Sequence, residues 1–237
     1  MQATLLSLVR ARFILVAGVT VLAFAVITAG AGALVLLYKN SFSSRSQYNQ
    51  LGLAVGSKKT CKKFWRGKNT FGVKVRRGPI ECAYRTPVSG DADRPDHDVS
   101  ADARVAKSTE EKIQKNVFVG VTVRANKDAG YQLRVFPKKQ TWELRRRPTG
   151  TGFPIASQGK DEAINPVGKK NTIRVRMFGD VLSASINGKK VVNNFNDPNP
   201  TSEVKGRRTF VSLGNTKKKK GQAAGFVDNV EVRIPNP

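Results

Sequence analysis

The chain has 237 residues, with 42 Lys plus Arg against 17 Asp plus Glu, a formal charge of +25 and a hydrophobic share of 39%. That share supports a packed core and excludes general disorder, while two cysteines and one histidine (His97) exclude a Cys-rich metal module or a disulfide-dense miniprotein. Length alone allows one large domain or two small ones.

Residues 1–12 read as a short cytoplasmic N-terminus carrying Arg10 and Arg12. From Phe13 to Tyr38 no charged residue occurs. A helix of that length reaches about 39 Å against roughly 30 Å of hydrocarbon, which predicts one transmembrane helix over 13–38. Tyr38 and Lys39 close it as an interfacial anchor would. A cleaved signal peptide competes with this reading, with Ala29-Gly30-Ala31 or Ala31-Gly32-Ala33 as the small-residue site. The apolar run continues through Leu34–Leu37, past where such a segment should stop, and favours an uncleaved anchor. Residues 39–60, rich in Ser, Asn, Gln and Gly, read as a tether. Cys61 and Cys82 are the only cysteines and flank a strand-like stretch; as a candidate disulfide they need an oxidising compartment. With Arg10 and Arg12 on the cytoplasmic side, the expectation is a single-pass cell-membrane protein whose C-terminal domain is extracytoplasmic.

Beyond the tether, period-two alternation dominates. Phe71, Val73 and Val75 alternate with Lys74 and Arg76, and Val99, Ala101, Ala103 and Val105 with Ser100, Asp102 and Arg104. Val117, Val119, Val121 and Val123 share a parity; Tyr131, Leu133 and Val135 alternate with Gln132 and Arg134. Ser108–Lys115 is the one stretch suited to a short helix. Ile173, Val175 and Met177 alternate with Arg174 and Arg176, and Leu182, Ala184 and Ile186 lead into Asn187-Gly188, a strong hairpin signal. Phe210–Leu213 and Phe226–Ile234 supply the last two strands. One apolar and one polar face per strand predicts antiparallel sheets covered on one side. Residues 61–237 therefore read as a mainly β, two-sheet antiparallel jelly-roll sandwich.

Three stretches carry a resemblance: Gly130–Pro137 (GYQLRVFP), Lys169–Val191 (KKNTIRVRMFGDVLSASINGKKV) and Ala224–Ile234 (AGFVDNVEVRI). Together they resemble the concanavalin-A-like lectin/glucanase superfamily, in particular its laminin-G-like and 3-keto-disaccharide-hydrolase-like members. The motifs are turns and strands, so the resemblance implies a fold before an activity. Its catalytic branch would imply a glycoside-processing hydrolase. Glucanases of the laminarinase type carry a strand motif resembling Glu-x-Asp-x-x-Glu, two carboxylates about 5–5.5 Å apart across the sugar bond. No such triplet occurs, and Asp228 and Glu231, the nearest strand pair, have an odd separation that predicts opposite faces. No catalytic triad accompanies His97, which reads as a loop residue, and no catalytic residue, metal site or cofactor is assigned.

The basic residues are clustered, and they are the candidates for binding an anionic surface. They are Lys58, Lys59, Lys62, Lys63, Arg66 and Lys68; Arg145, Arg146 and Arg147; and Lys217, Lys218, Lys219 and Lys220. Beside a membrane each is worth on the order of 1 kcal/mol against anionic headgroups. Trp65 is the candidate for stacking on a glycan ring, whereas Trp142 and Tyr131 share parity with Leu144 and Leu133 and read as core. No nucleic-acid motif accompanies the charge, so nucleic acid is not an expected partner. The expectation is a membrane-anchored, non-catalytic binding or accessory module. Its expected partners are glycan, anionic wall polymer or lipid headgroups, or other envelope proteins.

Overall fold

The structure, a computed structural model, describes residues 34–65, 70–76, 78–88, 96–125, 130–147, 155–197, 207–217 and 221–236. Val35–Pro235 form one compact unit, the body described below. It is built on two antiparallel sheets, as the alternation predicts. The eight-stranded sheet runs β13 (Lys189–Asn196), β12 (Val181–Ile186), β11 (Asn171–Phe178), β6 (His97–Val105), β15 (Ala223–Pro235), β4 (Phe71–Val75) and β3 (Cys61–Trp65), with β1 (Leu34–Asn40) also paired to β15. The seven-stranded sheet runs β10 (Ile155–Lys160), β9 (Thr141–Arg147), β8 (Gly130–Phe136), β7 (Val117–Ala125), β14 (Arg208–Asn215), β5 (Ile80–Arg85) and β2 (Gly52–Val55).

The inner faces carry the expected parity. Val117, Val119, Val121 and Val123 point inward from β7, with Leu133 and Leu144 beside them; Val99, Ile173, Val175, Leu182 and Val232 meet them from the other sheet. Each such aliphatic side chain, taken out of water, contributes about 1.5–3 kcal/mol before the entropy of ordering it is counted. Tyr131 and Trp142 are core residues, as their parity predicts. The Cys61–Cys82 disulfide forms and ties β3 of one sheet to β5 of the other. Asn187-Gly188 makes the hairpin turn between β12 and β13, both residues at positive φ (51° and 83°). Asn187 also accepts the Thr172 amide at 2.8 Å, tying the turn to β11.

Four sequence expectations change. No helix among the described residues is long and apolar enough to cross a membrane. Residues 13–33 of the expected span lie outside the described residues, and its last five residues, 34–38, lie in β1 instead of a helix. The stretch expected as a tether is part of the sandwich: it ends β1, forms the short helix α1 (Arg45–Asn49), and adds β2. Its polar composition is capping chemistry. Ser44 accepts the Gln47 amide at 3.2 Å, Gln47 accepts the Ser43 amide at 2.7 Å, and Asn40 donates to the Gln47 carbonyl at 2.9 Å. Between these polar residues Phe42, Tyr48 and Leu51 are buried, the two rings each 5.4 Å from Phe71. The expected short helix forms as α2 (Glu111–Gln114), but His97 is not a loop residue; it opens β6, fully buried, opposite Met177.

The fourth change lies on β15. A β-bulge between Asp228 and Glu231, with Asn229 at φ 45°, shifts the register so that Asp228 faces Asp102 and Glu231 faces Ser100. Two residues apart on β6, these partners share a face, so Asp228 and Glu231 point to the same side. The extra residue of the bulge cancels the odd spacing.

Candidate functional site

The outer face of the eight-stranded sheet carries an open groove of about 320 Å³ over β11, β12 and β13. Alternation turns Arg174, Arg176 and Phe178 outward from β11, opposite Ser185, Ser183 and Val181 of β12. The serines are short, so the arginines stand over a shallow floor; Lys190 and Asn194 of β13 close the far side. Asp98, on β6 directly across from Arg176, organises the cationic wall. Arg174 Nε donates to Asp98 Oδ1 at 2.7 Å and its Nη2 to Oδ2, while Arg176 donates to Oδ2 from Nε (3.1 Å) and Nη2 (2.9 Å). Burial alone would raise the Asp98 pKa, but the hydrogen bonds and charges of the two guanidiniums outweigh it and hold the carboxyl below the usual aspartate range. The same hydrogen bond raises Arg174.

The anchor and the working ends differ in exposure. The Asp98 side chain is 1% exposed, while those of Arg174 and Arg176 are 39% and 42% exposed. Nη1 of each arginine makes no hydrogen bond among the described residues, so part of each fork is presented to solvent. The Arg176 guanidinium lies 5.3 Å from the Phe178 ring centroid, which braces it from one side. With Lys190, three cations face one carboxylate, a net positive groove with held donors. Such an arrangement suits a carboxylate, sulfate or phosphate group, and the serines and Asn194 suit neighbouring hydroxyls.

The outer face of the seven-stranded sheet is polar in sequence, and its middle is closed. Arg134 donates to Glu81 at 2.9 Å and to Gln132 at 2.6 Å, and Gln132 donates to Ser212 at 3.0 Å and Glu81 at 2.5 Å. The Arg134 and Glu81 side chains are 7% and 9% exposed, and the Arg134 guanidinium lies 4.3 Å from the Phe118 ring. Gly120 sits between Arg134 and Ser212 in the register; a Cβ there would come within 2.7 Å of the Leu133 carbonyl. The middle of this outer face is therefore buried among its own side chains, while Arg85 of β5 and parts of the edge strand β10 stay exposed.

The basic residues singled out from sequence are dispersed. Lys58, Lys59 and Lys62 are exposed at the start of β3. Lys63 turns inward, its Nζ donating to the Leu51 carbonyl at 3.2 Å and lying 4.7 Å from the Tyr48 ring; burial and the nearby Arg45 lower its pKa. Arg145 is paired to Glu143 at 2.7 Å and Arg146 to Asp197 at 2.8 Å, with Arg147 ending the same strand, β9. Lys217 is exposed after β14, whereas Arg66, Lys68 and Lys218, Lys219 and Lys220 lie outside the described residues. Trp65 is half-buried against the core, donating from Nε1 to the Phe42 carbonyl at 3.4 Å, which is not the position of an open stacking platform. Among the described residues no cluster of three potential metal ligands occurs. Asp96, next to His97, pairs with Arg124 at 2.9 Å.

No family model and no curated protein sequence matches the chain. Solved structures do match it by shape. A Bacillus subtilis protein of unknown function with a galectin-like fold superposes with a TM-score of 0.59 at 14% identity, covering 85% of this chain and 98% of that one. The catalytic domain of a Thermotoga petrophila endo-1,3-beta-glucanase (laminarinase) superposes at 0.57 and 7% identity, covering 87% and 100%. A Bacteroides ovatus mixed linkage glucan GH16 protein in complex with a product gives 0.57 at 10% identity, covering 83% and 99%. At these identities the likeness establishes the fold alone, a two-sheet jelly-roll sandwich.

Proposed function

We propose that this protein is a membrane-anchored, extracytoplasmic, non-catalytic module that binds glycans carrying acidic groups. The observation that carries the reading is the groove on β11–β13, where buried Asp98 holds Arg174 and Arg176 with part of each fork facing solvent. Glycan as the ligand class is supported by the fold's company, which includes proteins solved with or named for glucans. Binding is favoured over hydrolysis in this groove because the carboxylate beneath it, Asp98, is held ionised and accepts four donor contacts from two arginines, leaving it no proton to donate.

Attachment rests on sequence. With residues 34–40 in β1, the apolar stretch available to cross a bilayer is 13–33. As a helix it would reach about 31 Å, still sufficient for roughly 30 Å of hydrocarbon. An outside location accords with the Cys61–Cys82 disulfide. On intact cells, a membrane-impermeant thiol reagent should label both cysteines only after reductant; labelling after lysis without reductant would place the body inside.

The binding reading is tested with the full-length chain in detergent micelles. Calorimetry against oligoglucuronate and against a neutral β-glucan should give tighter binding to the acidic chain. Arg176→Gln should weaken it about tenfold, the value of one hydrogen bond to a charged group. Unchanged affinity in Arg176→Gln, or release of reducing ends from either glycan, would overturn the proposal.

A further inference from the structure

β1 fixes which end of the body adjoins residues 13–33. Lys39 pairs with Glu231 at 3.2 Å; past β1, the Phe42 carbonyl accepts from Trp65, which stands opposite Phe71 and so level with Val227 of β15. β1 therefore runs antiparallel to β15 and starts beside its C-terminal end. The same end of the eight-stranded sheet holds the start of β6, where Asp98 stands opposite Arg233, and the β11–β12 turn at Gly179-Asp180. Arg124, late in β7, donates to Asp96 at 2.9 Å and to the Gly179 carbonyl, and Arg146, late in β9, pairs with Asp197 just past β13. Through the strand registers these contacts place the ends of β5, β7 and β9 and the starts of β2, β8, β10 and β14 at that end too.

This end face has a composition of its own. Among the described residues the exposed large hydrophobics are Val35, Leu36, Ile155 and Val181, and all of them lie on it, at the starts of β1, β10 and β12. They come from both sheets, so no single strand pattern puts them there. On the same end an open cavity of about 350 Å³ is lined by Val55 and Phe210 together with Arg85 and Arg208. Both arginines are exposed, neither forms an ion pair among the described residues, and no carboxylate lines the cavity. Lys58 and Lys59, by contrast, precede Cys61, which stands opposite Val75 and level with Ala223, at the other end of the sheet. We propose that this end face is a lipid-docking surface on which the body rests against the bilayer. Val35, Leu36, Ile155 and Val181 enter the interface, and the cavity between Arg85 and Arg208 takes the phosphate of an anionic headgroup. This rests on the anchored reading above.

Chain length favours the bilayer as the occupant. With residues 13–33 as the span, Leu36 follows it by three residues and lies at most about 10 Å beyond it, so this end stays among the headgroups. Apolar side chains there gain by leaving water, and unpaired arginines gain a phosphate. A second copy would bring the same unpaired cations and no counter-charge. The test uses the full-length chain in phosphatidylcholine vesicles with and without phosphatidylglycerol. Cys61 and Cys82 are joined, so Ile155→Cys, Val181→Cys and Lys169→Cys each add one free thiol for an environment-sensitive fluorophore; Lys169 is exposed at the opposite end, before β11. Spin-labelled lipid is expected to quench the fluorophore at positions 155 and 181, more strongly with phosphatidylglycerol present, and to spare the one at position 169. Arg85→Gln with Arg208→Gln should lower the docked-to-free ratio in the anionic vesicles about fivefold per arginine and leave it unchanged in the neutral ones. Equal, weak quenching at all three positions would overturn the docking, as would energy transfer between copies in place of lipid quenching, which would give the face to a second chain. A chain stripped from the vesicles by alkaline carbonate would overturn the anchor and the docking with it, whereas a retained chain with unquenched labels overturns the docking alone.

Discussion

Replacing Asp98 by Asn removes the charge that organises the β11 arginines while keeping the side chain's shape. In the folded protein this carboxylate accepts four donor contacts from Arg174 and Arg176 and is 1% exposed. Hydrogen bonds to a charged group contribute about 1.5–3 kcal/mol each when nothing replaces them. Asn retains one acceptor oxygen, and both guanidiniums reach water, so no buried charge is stranded. The expected loss is therefore about 2 kcal/mol at neutral pH, or about 4–8 °C in Tm for a body of this size. The pH dependence separates this account from a simple packing defect. Because the folded-state pKa of Asp98 lies below its unfolded value, its contribution is complete above the ordinary aspartate range and disappears as pH falls through the depressed folded pKa. Denaturant unfolding of wild type and Asp98→Asn at pH 7 and again below pH 3 should show a gap that closes in acid. A gap of equal size at both pH values would refute the charge-based reasoning.

Three further outcomes follow from the same geometry. Arg134→Ala leaves Glu81 buried without its ion-pair partner and should cost about 3–5 kcal/mol in denaturant titration, whereas Lys59→Ala, at an exposed turn, should change stability by less than about 0.5 kcal/mol. The Cys61–Cys82 bridge spans a sequence separation of 21 residues, so on the chain-entropy account the Cys61→Ser, Cys82→Ser double variant should lose about 3 kcal/mol, read as a matching fall in Tm; an unchanged Tm would mean the unfolded chain gains no freedom. Trp65→Ala should lower stability by about 2 kcal/mol through lost packing and leave oligoglucuronate affinity unchanged, and a selective loss of affinity would restore Trp65 as a glycan platform.

Much of the sandwich was legible before any coordinates because its signals are local. The parity of Val117–Val123, the Asn187-Gly188 turn and the short helix near Glu111 each depend on neighbours within a few residues, and each appears as read. Composition misled where it stood in for geometry. The Ser/Asn/Gln-rich stretch after Tyr38 looked like a solvated tether, yet those side chains cap α1 and bracket the buried Phe42 and Leu51. Runs of lysine and arginine drew attention for density, although Lys63, Arg145 and Arg146 are already committed to partners.

From sequence alone come the β class, the hairpin, the two-cysteine pair and the excess of positive charge, since period-two patterning and residue counts need no knowledge of which strands meet. The groove needed the tertiary structure. Arg174 and Arg176 look like any polar strand face until β6 docks beside β11 and brings Asp98 beneath them from 76 and 78 residues away. Glu231 likewise joins Asp228 and Asp102 on one face only through a bulge that strict alternation cannot encode. Register between distant strands is set by the packing of the whole sandwich, so the placement of charges on its outer face is decided at that level and at no earlier one.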